Sequence, residues 1–288
     1  MIALLLAAVV VAPPRFFVMG DGRLALVNAH TKASVDVRYR QKDGAYDEAA
    51  LAQIRRAFRS EGDAGEGRAS LRLIEILSQL QQTTKVRPLT LMSGYRSPVY
   101  NADLRAKGVR AAGGSLHTEG LAADVAFPRP MLKGLWLKLR AMNCCGAGYY
   151  AKDGFLHVDV GRPRFWEPAT SRVEENLSAG NARVFARTEF DRYARGEPIR
   201  VTVHSLTEPP ISLAVEGRLA TDDGDPLPVK LMSEHVDPAG CVTLATSSAV
   251  LSLAGVPERA RGAITLSTCT PRAAQTPAVV EANRIEIR

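Results

Sequence analysis

The sequence predicts an α+β protein in which a mixed domain is followed by a small all-β, sandwich-like domain. Helical and strand patterns are mixed up to about Trp166. After about Thr170 the helical periodicity mostly stops, and short alternating runs are separated by turn clusters such as Asp222–Pro226. Evenly spaced short strands of this kind are typical of a β-sandwich. We expect an apolar segment at 1–22, the mixed domain at 23–168, a linker at 169–192 and the β-rich domain at 193–288.

The elements of both domains follow from the spacing of their apolar residues. Alternation in Ser34–Tyr39 indicates a half-buried strand, and the apolar stripe in Leu71–Leu80 indicates a helix that faces the core. The other helices are expected at Ala49–Phe58, Ser97–Lys107 and Met131–Met142. Further strands are expected at Leu24–Asn28, Pro88–Met92, Leu121–Ala126, Ala147–Tyr150, Phe155–Val160, Ile199–His204, Ile211–Val215, Val229–Met232, Val242–Thr246, Ala263–Ser267 and Arg284–Ile287.

Composition and charge limit the class of protein and its partners. Of the 288 residues, 46% are apolar and 23% are charged, as in an ordinary globular protein. The formal net charge of +7 favours polyanionic surroundings such as cell wall or anionic lipid. The sequence has no basic stripe interleaved with aromatic residues and no DNA-reading motif, so we expect no nucleic-acid partner.

The N-terminus carries an apolar run, Met1–Ala12, that ends at Pro13-Pro14. Twelve residues are too few to span a bilayer, which needs about twenty. The run is similar to the apolar region of a secretory signal, and small residues near Ala12 suit cleavage. We therefore predict export to the periplasm or cell envelope. A short membrane tether and a buried N-terminal strand are the alternatives.

The four cysteines allow disulfides in an exported chain, with three pairings open. Cys241 and Cys269 lie in the β-rich region and are suited to bridge two strands. Cys144 and Cys145 are adjacent, and adjacent cysteines form a bridge only with strain. The absence of a C-x-x-C pair argues against a thiolate zinc site.

Three residues form a candidate metal site in the mixed domain: His117, Asp124 and His157. Two neutral imidazoles and one carboxylate, with a fourth position for water, are the usual ligands of a catalytic zinc ion. Gly120 allows a tight turn between the first two ligands. Asp159 follows His157 by two residues on a predicted strand and so lies on the same face. It is expected either to orient the site or to take a proton from the bound water.

A candidate catalytic arginine, Arg96, follows the strand that ends at Met92. A guanidinium at this position can clamp a carboxylate or stabilise an oxyanion with several hydrogen-bond donors.

The order of these motifs resembles a known family. Ser93-Gly94-Tyr95-Arg96-Ser97 is followed by Ser-x-His-x-x-Gly-x-Ala-x-Asp, which contains His117 and Asp124, and by His-Val-Asp-x-Gly-Arg-x-Arg-x-Trp from His157. This pattern resembles the zinc D,D-peptidase superfamily and, within it, the YcbK-like murein endopeptidases of the MepK group. The resemblance covers roughly Leu24–Trp166.

The resemblance implies one Zn²⁺ ion held by His117, Asp124 and His157, with Arg96 binding substrate or steadying the tetrahedral intermediate. Many members of the superfamily have a general base three residues before the last ligand, where this chain has Gly154. Asp159 is therefore our first candidate for the base, and Asp153 is the second.

The predicted function is hydrolysis of the peptide cross-links of bacterial peptidoglycan, whose peptide stems are the expected partner. Two alternatives stay open. One is a D,D- or L,D-carboxypeptidase on the same substrate, and the other is a non-catalytic protein that binds or organises the cell wall.

Overall fold

The computed structural model describes residues 13–60, 66–108, 114–171, 183–205, 210–222, 224–246, 248–270 and 273–288. The apolar run that carries the signal-like prediction, 1–12, lies outside these residues. Among the described residues, no helix has the length and apolar character needed to cross a membrane. Phe16, inside the segment expected at 1–22, is buried against Phe190, with 5.6 Å between the ring centroids.

The first half of the chain builds one mixed sheet packed with helices, so the predicted α+β class is confirmed. Its strands lie in the order β2-β1-β3-β4-β6-β5-β7. They are β1 (Arg23–Asn28), β2 (Ser34–Arg38), β3 (Leu89–Ser93), β4 (Ala122–Ala126), β5 (Gly146–Tyr150), β6 (Phe155–Asp159) and β7 (Arg164–Trp166). The helices are α1 (Glu48–Ala57), α2 (Leu71–Thr84), α3 (Pro98–Ala106) and α4 (Arg129–Met142), with short 3₁₀ turns at Leu116–Glu119 and Pro168–Thr170.

Side-chain caps fix where three of the helices begin. The side chains of Asp47, Ser70 and Ser97 accept hydrogen bonds from the first turns of α1, α2 and α3. Such caps satisfy amide groups that have no partner inside the helix. Pro98 opens α3, where its missing amide proton costs nothing. These caps place each helix start within one residue of the predicted start.

The central strands bring the chemically important residues to one face of the sheet. In the antiparallel pair β4–β6, Asp124 is opposite His157 and Ala122 is opposite Asp159. Since side chains alternate along a strand, Asp124, His157 and Asp159 share a face. The adjoining hairpin β5–β6 turns through Gly154, whose φ is +78°.

The second half of the chain forms a nine-stranded sheet in the order β8-β10-β14-β12-β11-β15-β16-β9, with β13 paired to β11. Its strands are β8 (Val184–Thr188), β9 (Arg192–Tyr193), β10 (Arg200–Ser205), β11 (Ile211–Thr221), β12 (Leu227–Met232), β13 (Cys241–Leu244), β14 (Ser248–Ala254), β15 (Ala260–Thr268) and β16 (Val279–Ile287). The sheet has its own apolar core, as expected of an all-β part. A disulfide joins Cys241 to Cys269, whereas Cys144 and Cys145 are free. The sandwich-like description stays a prediction.

The two halves are joined through β8, which lies in the second part of the segment expected as a linker. Phe185 is buried in the apolar core of the first half, and Val184 and Ala186 are buried in that of the second. Arg72 of α2 forms a buried ion pair with Asp191, which follows β8. The start of the second sheet therefore packs directly against the first half of the molecule.

Candidate metal centre

His117 is held by backbone contacts that turn one of its ring nitrogens towards Asp124 and His157. It lies in the 3₁₀ turn Leu116–Glu119, which ends at Gly120 with a φ of +68°. Its Nδ1 atom is 2.7 Å from the carbonyl oxygen of Gly94. A nitrogen that donates to a backbone carbonyl fixes the tautomer, so the other nitrogen, Nε2, presents its lone pair to a ligand.

Asp124 and His157 complete a compact set of three donor atoms. His157 Nδ1 is 2.8 Å from Asp124 Oδ1 and 3.3 Å from His117 Nε2. The three ligand atoms all lie within 4.8 Å of one another, and the side chains are buried or nearly so. Two imidazole nitrogens and one carboxylate oxygen at this spacing fit the donor set of a catalytic zinc ion. The structure thus brings together the three residues predicted as ligands.

The electrostatics of the three groups reflect burial and mutual charge. Burial and the positive charge of Arg96 lower the pKa of His117. Burial alone would raise the pKa of Asp124, but His117 and His157 outweigh it and hold this pKa far below its usual range. For His157, burial is outweighed by hydrogen bonds to Asp124 and Asp159, which raise its pKa. An ionised Asp124 and a neutral His117 are the forms that bind a metal ion.

Asp159 supports His157 from the opposite edge of the imidazole ring. Its Oδ2 atom is 3.1 Å from His157 Nε2, and its Oδ1 atom accepts a 2.8 Å hydrogen bond from the Gly161 amide. Arg164 donates to Oδ2 over 2.7 Å. The side chain is fully buried, and a Cβ at Gly146 would approach Oδ2 to 2.4 Å. Both carboxylate oxygens therefore have hydrogen-bond partners, and Oδ2 is the one that contacts the ring.

Asp153, the second candidate for the base, is not brought to the metal centre. It lies exposed in the turn of the β5–β6 hairpin. The hairpin turn adjoins Phe155, at the end of β6 away from Asp159.

Arg96 reaches the ligand cluster from the other side. Its Nε donates to Ser93 Oγ over 2.9 Å, and its Nη2 donates to Asp124 Oδ2 over 3.4 Å. The backbone amide of Arg96 also donates to the carbonyl of His117 over 3.2 Å. These contacts hold the guanidinium beside the carboxylate of Asp124 in the ligand cluster.

Comparison with known proteins adds to this geometry. A family model described as peptidoglycan L,D-endopeptidase MepK matches residues 19–166, just over half of the chain. The chain belongs to this family. Peptidoglycan L,D-endopeptidase MepK of Escherichia coli K12 is 32% identical over 165 residues, which cover 56% of this chain and 90% of that protein. The MepK of Shigella flexneri gives the same values. A protein of Haemophilus influenzae, described as a probable peptidoglycan L,D-endopeptidase MepK, is 32% identical over 79 residues, 27% of this chain and 42% of that protein.

The segment matched by the MepK family model contains all five predicted site residues: Arg96, His117, Asp124, His157 and Asp159. It ends at Trp166. The nine-stranded sheet, which begins at Val184, lies beyond it.

Two aromatic residues of the MepK-family segment border the centre and were not predicted as site residues. The Trp166 ring lies 5.1 Å from the His157 ring, and its Nε1 donates to Tyr150 Oη over 3.1 Å. Gly148, opposite His157 on β5, leaves room for the indole, since a Cβ there would lie 2.6 Å from it. Burial raises the pKa of Tyr150, which keeps its phenol protonated. The sequence signal that could have indicated this aromatic pair is the glycine of β5 opposite His157, Gly148, because it leaves room for a large side chain beside the ring.

Proposed function

We propose that the protein is a zinc peptidase that hydrolyses L,D-peptide bonds in the cross-links of bacterial peptidoglycan. The observation that carries the proposal is the convergence of His117, Asp124 and His157 within the segment matched by the MepK family. Relatives that carry the name peptidoglycan L,D-endopeptidase support the choice of substrate and bond.

One Zn²⁺ ion per chain is proposed at the three donor atoms. When bound there, the ion lowers the pKa of a water molecule towards neutrality and polarises the scissile carbonyl. The donor set supports zinc because it has two imidazoles, one carboxylate and no thiolate.

The chain's own residues would position and stabilise the reacting groups. Arg96 donates hydrogen bonds to the carbonyl oxygen as negative charge develops on it. Asp159 keeps the His157 ring oriented with Nδ1 towards the ligand cluster. Of the two roles expected for this carboxylate, orienting the site and accepting a proton, we propose the first. Tyr150, as a protonated phenol at the rim, is available to donate to the substrate.

The cellular place and the domain division follow from the same proposal. A protein that acts on peptidoglycan must reach the cell envelope, so we propose export, with the signal-like segment at 1–12 directing it. We also propose that residues 23–168 form the peptidase domain and that the β-rich residues 193–288 form a sandwich-like second domain. The periplasm is the proposed compartment.

The test is the release of fragments from purified peptidoglycan by the full chain with zinc, with a chelator, and as His157→Ala. His235→Ala is the matched control, because His235 is exposed in the second half of the chain. We expect products of cleaved cross-links from the wild-type protein and the control. Neither the chelated protein nor His157→Ala should release them.

The alternatives give different results in the same assay. Release of single terminal amino acids, with the cross-links intact, would indicate a carboxypeptidase. Stoichiometric zinc binding without any release would indicate a wall-binding or scaffold protein. Cleavage that persists in the chelator would refute the proposed metal dependence.

A further inference from the structure

A small cavity lies where the second sheet meets the metal-binding half of the chain. Its volume is about 190 Å³. The residues that matter for its chemistry are Leu116, Gly161, Arg162, Arg164, Arg183 and Phe185. The first four come from the segment matched by the MepK family, whereas Arg183 and Phe185 lie beyond it. The cavity is therefore completed by the start of the second sheet.

The cavity concentrates positive charge. Three arginine residues line it: Arg162, Arg164 and Arg183. Arg164 is paired with Asp159, and Arg183 donates to the carbonyl oxygen of Gly114. Among the residues that the structure describes, neither Arg162 nor Arg183 has an ion-pair partner.

The arginines also repel one another. Burial, together with the positive charges of Arg164 and Arg162, lowers the pKa of Arg183 to about 10. Asp159 opposes this effect, but its carboxylate already accepts hydrogen bonds from His157, Gly161 and Arg164. Positive charge that is partly removed from water and not neutralised is stabilised by an anion.

The position of the cavity links it to the metal centre. Leu116 directly precedes the ligand His117, and Arg164 and Gly161 both bind Asp159, which holds His157. Arg96 contacts the cluster at Asp124 and does not line the cavity. The cavity therefore adjoins the residues that precede one ligand and support another, His117 and His157.

We propose that this cavity binds a carboxylate group of the peptide substrate. The inference rests on the proposed function, because peptidoglycan stems are peptides that bear free carboxylates. Guanidinium groups bind carboxylates with paired hydrogen bonds in a fixed planar geometry. Of the three arginines that line the cavity, Arg162 and Arg183 make no ion pair with the described residues, which suits them to this role. In this assignment Arg183 gives the second sheet a direct part in substrate selection.

The experiment measures binding rather than cleavage, so that it does not depend on turnover. The probe is a purified cross-linked muropeptide, compared with the same compound after its free carboxylates are converted to primary amides. Its affinity for the full chain is measured by calorimetry in the presence of a chelator. The variants are Arg162→Gln and Arg183→Gln. Arg259→Gln, at an exposed turn of the second sheet, is the matched control.

We expect the wild-type protein and Arg259→Gln to bind the carboxylate form about 10- to 100-fold more tightly than the amide form, as for hydrogen bonds to charged groups. In Arg162→Gln and Arg183→Gln, the affinities for the carboxylate and amide forms should differ by no more than about threefold. Arg162 is exposed and makes no ion pair with the described residues, so its substitution tests the cavity without a loss of folding. Thermal unfolding of each variant checks this point.

Several outcomes would overturn the proposal. Equal wild-type affinity for the two forms would do so, as would an unchanged ratio in Arg162→Gln. Binding of inorganic phosphate that is lost in Arg183→Gln, without discrimination between the two peptides, would assign the cavity to phosphate instead. If discrimination is found but peptidoglycan is never cleaved, the carboxylate site stands and the proposed enzymatic function fails. If peptidoglycan is cleaved but the carboxylate and amide forms bind equally, the proposed enzymatic function stands and the carboxylate site fails.

Discussion

Asp159 Oδ2 lies 3.1 Å from His157 Nε2, on the ring edge opposite to the nitrogen that faces Asp124. A carboxylate in this relation to a metal-binding histidine fixes the ring and raises the basicity of the coordinating nitrogen. Its oxygens face His157 Nε2, the Gly161 amide and Arg164, on the side of the ring away from the ligand cluster. The geometry therefore favours an orienting role over that of a general base.

The first prediction tests this role through metal affinity. Asp159→Asn should weaken zinc binding about 10- to 100-fold, because the orienting charge is lost while the size of the side chain is kept. A chromophoric chelator in competition with the protein measures the dissociation constant. Asp153→Asn, in the exposed hairpin turn, should leave it unchanged. An unchanged zinc affinity in Asp159→Asn, with turnover abolished, would instead support the general-base role.

The second prediction separates Arg96 from metal binding. Arg96→Ala should retain one zinc ion per chain but lose about 10²- to 10³-fold in kcat/KM, the usual cost of removing one oxyanion donor. The measurements are the metal content and the rate of muropeptide cleavage. Arg105→Ala removes an exposed arginine of α3 and should match the wild-type rate. A kcat/KM for Arg96→Ala within threefold of wild type would exclude Arg96 from the mechanism.

The choice of ligand residues could be predicted from sequence because it depends on short-range spacing. His117 and Asp124 are separated by a tight turn, and strand alternation places Asp159 on the same face as His157. The direction of the His157 ring could not be predicted, since it depends on contacts from several elements. Without that direction, Asp159 was predicted as the first candidate for the base, and its orienting role stayed open as the alternative.

Strand β8 shows a second limit of sequence reasoning. Period-two alternation reveals a strand only when one of its faces is exposed. Phe185 is buried in the first core, whereas Val184 and Ala186 are buried in the second. Because both faces are covered, the segment has no alternation and was expected to be part of a linker. The half-exposed strand β2, in contrast, was predicted to within one residue.

The third prediction concerns the junction between the two halves. Arg72 forms an ion pair with Asp191 and donates to the carbonyl of Thr188 over 3.0 Å, and both charged side chains are at most 10% exposed. Removing one partner of a buried pair leaves the other charge uncompensated, so Arg72→Ala should lower the free energy of unfolding by about 3–5 kcal/mol. Urea denaturation measures this change.

The control for this substitution is Lys107→Ala, which breaks an exposed ion pair with Asp103. Exposed pairs of this kind contribute little to stability because solvent and salt screen them, so the control should differ little from wild type. If Arg72→Ala costs no more than Lys107→Ala, the junction does not contribute to stability as argued.

The last prediction is a pH dependence of stability that originates in His204. This side chain is buried on β10 and stacks on Phe185 with 4.8 Å between the ring centroids, and burial and the charge of Arg187 lower its pKa to about 4. The usual pKa of histidine is about 6.5, so between these values the unfolded chain binds a proton that the folded chain does not. Folded stability must then fall as the pH drops through this range, by about 2 kcal/mol at pH 5 relative to pH 7.5.

His204→Phe keeps the ring stacking, and it should remove this part of the loss when the free energy of unfolding is measured at both pH values. His235→Phe, at an exposed turn, should keep the wild-type pH dependence. A variant at position 204 that loses as much stability at pH 5 as the wild type would show that another group is responsible.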